Sequence, residues 1–154
     1  MRLATLVKTM TASAAILGVG ITVAYAALSG DDAIKARQEC MKGQGKMMGV
    51  AVPMMKGEKP YDAAAVTAAI DAAGAGCANW AEFWPEDSMK GTVETYAKPE
   101  IWSDKAGFEA AGNKSYTAMQ ALKTTADEAA FKAAFPAVGD GCQGCHEKFR
   151  RPKE

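Results

Sequence analysis

The sequence predicts an all-α protein folded as an antiparallel four-helix bundle. Three observations carry this. Apolar residues recur at helical spacing in four separate segments. Alanine is abundant while Val, Ile and Tyr are scarce, and long Ala/Glu/Lys/Met runs favour helix because these side chains lose little rotamer freedom there. The first and third connections are short and the middle one is long, which suits two helical hairpins set side by side.

The elements follow in order. Residues 1–26, "MRLATLVKTMTASAAILGVGITVAYA", read as a leader and not as part of the fold. Arg2 and Lys8 form a positive start, an apolar run covers about Ala14 to Val23, and Ala24-Tyr25-Ala26 is an A-x-A cleavage site. The run is shorter than the roughly 20 residues a membrane span needs. A cleaved signal peptide is therefore expected, with no stable membrane anchor, and 27–154 as the mature domain. Asp31 or Asp32 is expected to cap the first helix, with Ile34, Met41, Gly45, Met48 and Val52 on its buried stripe and Pro53 near its end. Asp62 caps a second helix reaching about Trp80, with Val66, Ile70, Ala73 and Cys77 inward.

Residues 83–102 lack a clean period and carry Pro85, Gly91 and Pro99. They read as a long structured connection, held down by Phe83, Trp84 and Trp102. A third helix is expected over about 103–124, with Phe108, Ala111, Ser115, Met119 and Leu122 inward. Asp127 caps a fourth, whose stripe runs from Phe131 through Val138, Cys142 and Cys145 to Phe149. Pro136 lies inside it and predicts a kink or short break near 131–135, because proline removes a backbone hydrogen bond and clashes one turn back.

A chain of 154 residues, 49% hydrophobic, suits one domain with a modest core. The 18 basic side chains balance 18 acidic ones, so no strong field points to nucleic acid. Loss of the leader removes Arg2 and Lys8 but no acid, leaving 16 basic against 18 acidic side chains. The many alanines make a thin core, and a large apolar cofactor between the helices would fill it.

The motif Cys142-Gln143-Gly144-Cys145-His146 names that cofactor. On a helix, positions i, i+3 and i+4 share a face. Two thiols there can add to the two vinyl groups of one haem, and the adjacent imidazole can bind the iron, so the spacing reads as covalent haem c attachment. A thioredoxin-like pair would want a strand before the motif, and structural zinc would want four ligands. The helical pattern entering the motif and the single histidine of the chain argue against both. An exported chain also reaches the compartment where haem is attached to bacterial proteins.

The terminal "CQGCHEKFR", together with "DDAIKARQ", "KGEKPYDAAAV", "AKPEIWSDKAGF" and "FKAAFPAVGDGC", resembles the class II cytochromes c, the cytochrome c′ family, over essentially the whole mature chain. Counting back from "KGEKPYD", the resemblance places Met41 at the family's distal position. In "MKGQGKMMG", "FWPEDSMKG" and Pro136 the chain is similar to the low-spin cytochrome c-556 type, in which a methionine binds iron opposite the histidine. Arg37-Gln38 instead matches the high-spin members.

The resemblance thus implies His146 as the proximal ligand and Met41 as the distal one, in a periplasmic electron-transfer protein that is not an enzyme. The alternative is a five-coordinate cytochrome c′ that binds nitric oxide or carbon monoxide, with Met41 as a distal wall. A peroxidase would need a distal acid/base, and no second histidine exists. The family's arginine beside the haem falls on Arg150, one helical turn after His146, as a propionate partner; the bland reading is a solvated arginine at a helix C-terminus. Arg37, one turn before Met41, is a similar candidate. Partners are expected to be periplasmic redox proteins, with the chain a monomer or a homodimer through its first two helices.

Cys40 and Cys77 remain. With the first turn centred near Gly57, Cys77 lies opposite about Arg37, and Cys40 is only about 4.5 Å along the axis from that level. Cys40 also points about 100° away from Met41, toward the second helix. The register allows a disulfide, two buried thiols or an intermolecular link.

Overall fold

The computed structural model describes residues 28–152. The expected leader at 1–26 lies outside the described residues. Five helices follow in order: α1 (Gly30–Met55), α2 (Ala63–Ala75), the one-turn α3 (Glu100–Ser103), α4 (Lys105–Lys123) and α5 (Glu128–Phe149). The four long ones form the bundle. α1 packs on α2, α4 packs on α5, and α2 also meets α4. Both short loops lie at one end, where the Tyr61 hydroxyl donates to the Thr125 carbonyl at 3.0 Å. The long connection, the start of α1 and the end of α5 share the other end.

Capping chemistry sets most boundaries. Asp62 and Asp127 accept from the amides of Ala65 and Ala130, as their positions predict. α1 departs from expectation, since Ser29 is its cap and accepts from the Asp32 amide. Asp31 is drawn instead to the connection, where it accepts from the Thr92 amide at 2.8 Å and from the Thr92 hydroxyl. Asp104 caps α4 through the Gly107 amide, so the expected third helix is two pieces. α2 ends at Ala75, and Cys77 sits in the turn beyond it.

The proline inside α5 does not break it; the helix is continuous through Pro136. Pro136 and Lys132 are both exposed, so the carbonyl left unpaired one turn back faces water. α1 likewise runs past Pro53 to Met55.

The buried face of α1 is also rotated from the expected stripe. Ala33, Arg37, Cys40, Met47, Ala51 and Met54 are buried with Ile34, whereas Met41 is 39% exposed. The reason is that α1 has two apolar faces. One turns to α2, where a side chain at Gly43 would touch Ala73; the other carries Met41, Gly45 and Met48.

The core falls into two clusters. Met47, Ala51, Met54, Val66, Ile70, Leu122, Phe131, Phe135 and Val138 fill the end with the short loops. Ile101, Phe108 and Phe149, flanked by Trp80, Trp84 and Trp102, fill the end with the long connection. The connection therefore packs down, as its aromatics predict.

Candidate haem site

Cys142, Cys145 and His146 lie on α5 within the last two turns before its C-terminus. Both cysteines are half-buried and unpaired with any other thiol. Their neighbours differ: Cys142 packs against the larger core cluster and Cys145 against the aromatic one, so the pair bridges the seam between them. Burial raises both thiol pKa values, and the neighbouring Cys142 adds to the rise at Cys145. His146 is exposed, but partial desolvation lowers its pKa and the Arg150 charge lowers it further, which favours a neutral imidazole able to bind metal. α5 meets α4 closely here, because Gly141 lets the Ser115 backbone approach.

The chain beyond α5 is tied to the connection. Ala97 and Arg150 form an antiparallel bridge, the Lys98 amide donates to the Phe149 carbonyl at 3.0 Å, and the Arg151 amide donates to the Tyr96 carbonyl at 2.7 Å. The guanidinium groups of Arg150 and Arg151 lie 5.6 and 5.8 Å from the Tyr96 ring centroid. Arg150 thus stands near His146, exposed, with its charge over an aromatic face.

Arg37 is placed elsewhere. It is 4% exposed. Its Nη1 donates to the Phe83 carbonyl at 3.2 Å and Ser88 Oγ at 2.9 Å, and its Nη2 to the Ser88 carbonyl at 2.7 Å and Thr95 Oγ1 at 2.8 Å. Trp84 and Trp102 flank it at 5.0 and 5.8 Å. Only Nε–H is left for another partner. Burial pulls its pKa down to about 10, so it stays charged at neutral pH. Its position makes it the anchor of the connection. The sequence did not point to Ser88, Thr95 or Tyr96, since each matters through contacts more than 45 residues away.

Met41 projects from α1 one turn after Arg37, next to Cys40. Cys40 is joined to Cys77 by a disulfide with Cα atoms 4.9 Å apart, so the register argument leads to the first of its three outcomes. Gln44, one turn further on, donates from Nε2 to Cys77 Sγ at 3.3 Å.

Two unpaired thiols at i and i+3, an adjacent imidazole and flanking apolar and aromatic clusters fit haem. A helical bundle with this set on its last helix defines a c-type haem protein. The pattern of the cytochrome c′ family matches residues 32–150, and the chain belongs to that family. It is 35% identical over 127 residues to cytochrome c′ of Alcaligenes xylosoxydans xylosoxydans, covering 80% of this chain and 96% of the relative. It is 33% identical over 140 residues to cytochrome c-556 of Rhodopseudomonas palustris, covering 88% and 93%. The nitric oxide complex of a variant cytochrome c prime from Alcaligenes xylosoxidans superposes with a TM-score of 0.70 at 33% identity, covering 80% of this chain and 98% of the other. Proteins of the family carry haem c covalently, with iron.

Proposed function

We propose that the chain is a periplasmic electron carrier, not an enzyme, with Cys142 and Cys145 linked to haem and the iron held between His146 and Met41. One observation carries the reading. Thr95 receives a bond from Arg37 Nη2 on its hydroxyl and another from Arg151 on its carbonyl, so the connection ties the early turns of α1 to the chain just beyond α5. Met41 lies four residues, about one turn, beyond Arg37 on α1, and His146 lies three residues, about one turn, before the end of α5 at Phe149. This tie between the two helix ends supports a thioether on α1 and an imidazole on α5 serving one haem.

Haem, when bound, would supply an iron able to accept and give up one electron. The residues do the rest. The two cysteines would fix the group to α5, His146 and Met41 would hold its iron, and a His/Met ligand pair would raise the potential. Arg150 is the nearer candidate for a propionate partner. No described helix is long and apolar enough to cross a membrane. The predicted leader supports export, and redox proteins of the periplasm are the expected partners. The chain's only histidine is the proximal ligand, which leaves none for distal acid/base chemistry.

The second reading, a five-coordinate gas binder, draws support from the nitric oxide complex of the Alcaligenes xylosoxidans protein. The Met41→Leu variant separates the two. On the carrier reading it becomes high-spin and takes up carbon monoxide quickly. A variant whose spectrum and carbon monoxide kinetics match wild type rejects Met41 as ligand.

A further inference from the structure

We infer that the Cys40–Cys77 disulfide is a positioning device for Met41, holding one turn of α1 at the height and rotation the distal ligand needs. The inference rests on the reading of Met41 as the residue facing the iron.

Three contacts converge on that turn. Arg37, at its start, is buried and bound through four N–H···O contacts to Phe83, Ser88 and Thr95. Cys40, directly before Met41, is 1% exposed and covalently fixed to Cys77. Cys77 lies outside any helix, in the turn after α2, so the bridge ties α1 to the start of the connection and not to a second rigid rod. Gln44 then lays its amide on Cys77 Sγ. Met41 itself is held by little, being 39% exposed on the open side of the helix. Its backbone is thus clamped from behind while its side chain faces forward.

A bridge serving global stability alone would act equally on the whole bundle. This one lies beside the predicted ligand, on the connection side of the core members nearest to it in sequence, Met47 and Ala73, and away from Leu122 and Phe131. Without it, residues 38–44 of α1 would keep the neighbouring Arg37 anchor, the bond from Gln38 Nε2 to the Glu94 carbonyl at 2.7 Å and the packing of Gly43 against Ala73, but no covalent tie. Carbon monoxide reaches a His/Met iron only in the fraction of molecules whose methionine is off, so its apparent rate scales with that fraction. Coupling between linked sites typically amounts to about 5- to 150-fold. Loss of the bridge is expected to raise the carbon monoxide association rate about tenfold.

The test uses ferrous holoprotein at 25 °C. Cys40→Ala/Cys77→Ala is compared with wild type, with Leu122→Ala as an equally destabilising change in the far core, and with Met41→Leu. The expected result is retained helical circular dichroism, a roughly tenfold faster carbon monoxide rate in the double variant only among the two destabilised proteins, and faster amide exchange over residues 38–44. If the double variant does not fold, wild-type holoprotein reduced with a phosphine and alkylated serves in its place, the phosphine taking up the two electrons' worth of oxidation as its oxide. A rate within twofold of wild type, or an equal rise in Leu122→Ala, overturns the positioning role. If Met41→Leu leaves the rate unchanged, the ligand assignment itself fails, and the inference with it.

Discussion

Arg37 is the residue whose loss the structure predicts most sharply. Its guanidinium is buried without a carboxylate partner among the described residues and is solvated by two carbonyls, two hydroxyls and two indole faces. Arg37→Ala leaves the carbonyls of Phe83 and Ser88 without that donor, at about 1–3 kcal/mol each if water does not replace it. It also removes two cation–π contacts, each worth about 0.5–2 kcal/mol. Release of a buried charge offsets part of this, because desolvating a cation is itself unfavourable. The net loss is expected to be about 3–5 kcal/mol, the range for breaking a buried charged network. For a chain of this size that is a fall in Tm of roughly 10–15 °C. Arg37→Lys is the diagnostic companion. An ammonium keeps the charge but cannot span four acceptors in a planar fork, so it should still lose at least about 2 kcal/mol. Thermal unfolding of holoprotein followed by far-UV circular dichroism reads both. A lysine variant as stable as wild type would show that charge alone suffices and that the fork geometry argued above is irrelevant.

Two further changes probe the scaffold. A methyl group at Gly141 would meet Ser115 Cα at 3.0 Å and Oγ at 3.1 Å, so Gly141→Ala should destabilise by about 1–2 kcal/mol despite better helix propensity; Gly49→Ala, with nothing within 4 Å, should stabilise by about 0.5–1 kcal/mol in the same denaturant titration. The Thr92 hydroxyl, then the Val93 amide, hold the Asp31 carboxyl below its ordinary 3.8. Its contribution is therefore complete above the unfolded-state value and is lost as pH falls through the lower folded-state value. Asp31→Asn should lower stability at pH 7 and flatten the loss below about pH 4, as read by unfolding at a series of pH values; an unchanged acid limb would disprove the link.

The sequence made the haem motif legible because covalent attachment needs its residues contiguous, with Cys142, Cys145 and His146 on one helical face. Asp62 and Asp127 were legible for a similar reason, since a cap acts on amides three residues away. What the sequence misplaced depended on distant partners. Asp31 looks like a cap until Thr92 and Val93 claim it. Arg37 looks like a surface cation near a ligand until Ser88 and Thr95 bury it. The stripe through Met41 was a true apolar face of α1, but periodicity did not show that α2 covers a second face about 100° away. Pro136 was read by its intrinsic cost, whereas the exposed side of α5 lets water meet the orphaned carbonyl. Cys40 and Cys77 were within reach of a register argument, because one short turn of the chain fixes how two antiparallel helices align.

The absorption spectrum of the ferric wild-type protein tests the central claim most directly, since it reports what holds the iron opposite His146. The account predicts low-spin iron with a methionine-to-iron charge-transfer band that disappears in Met41→Leu. A high-spin ferric spectrum in the wild type would contradict it and place the chain among the five-coordinate gas-binding members of the family.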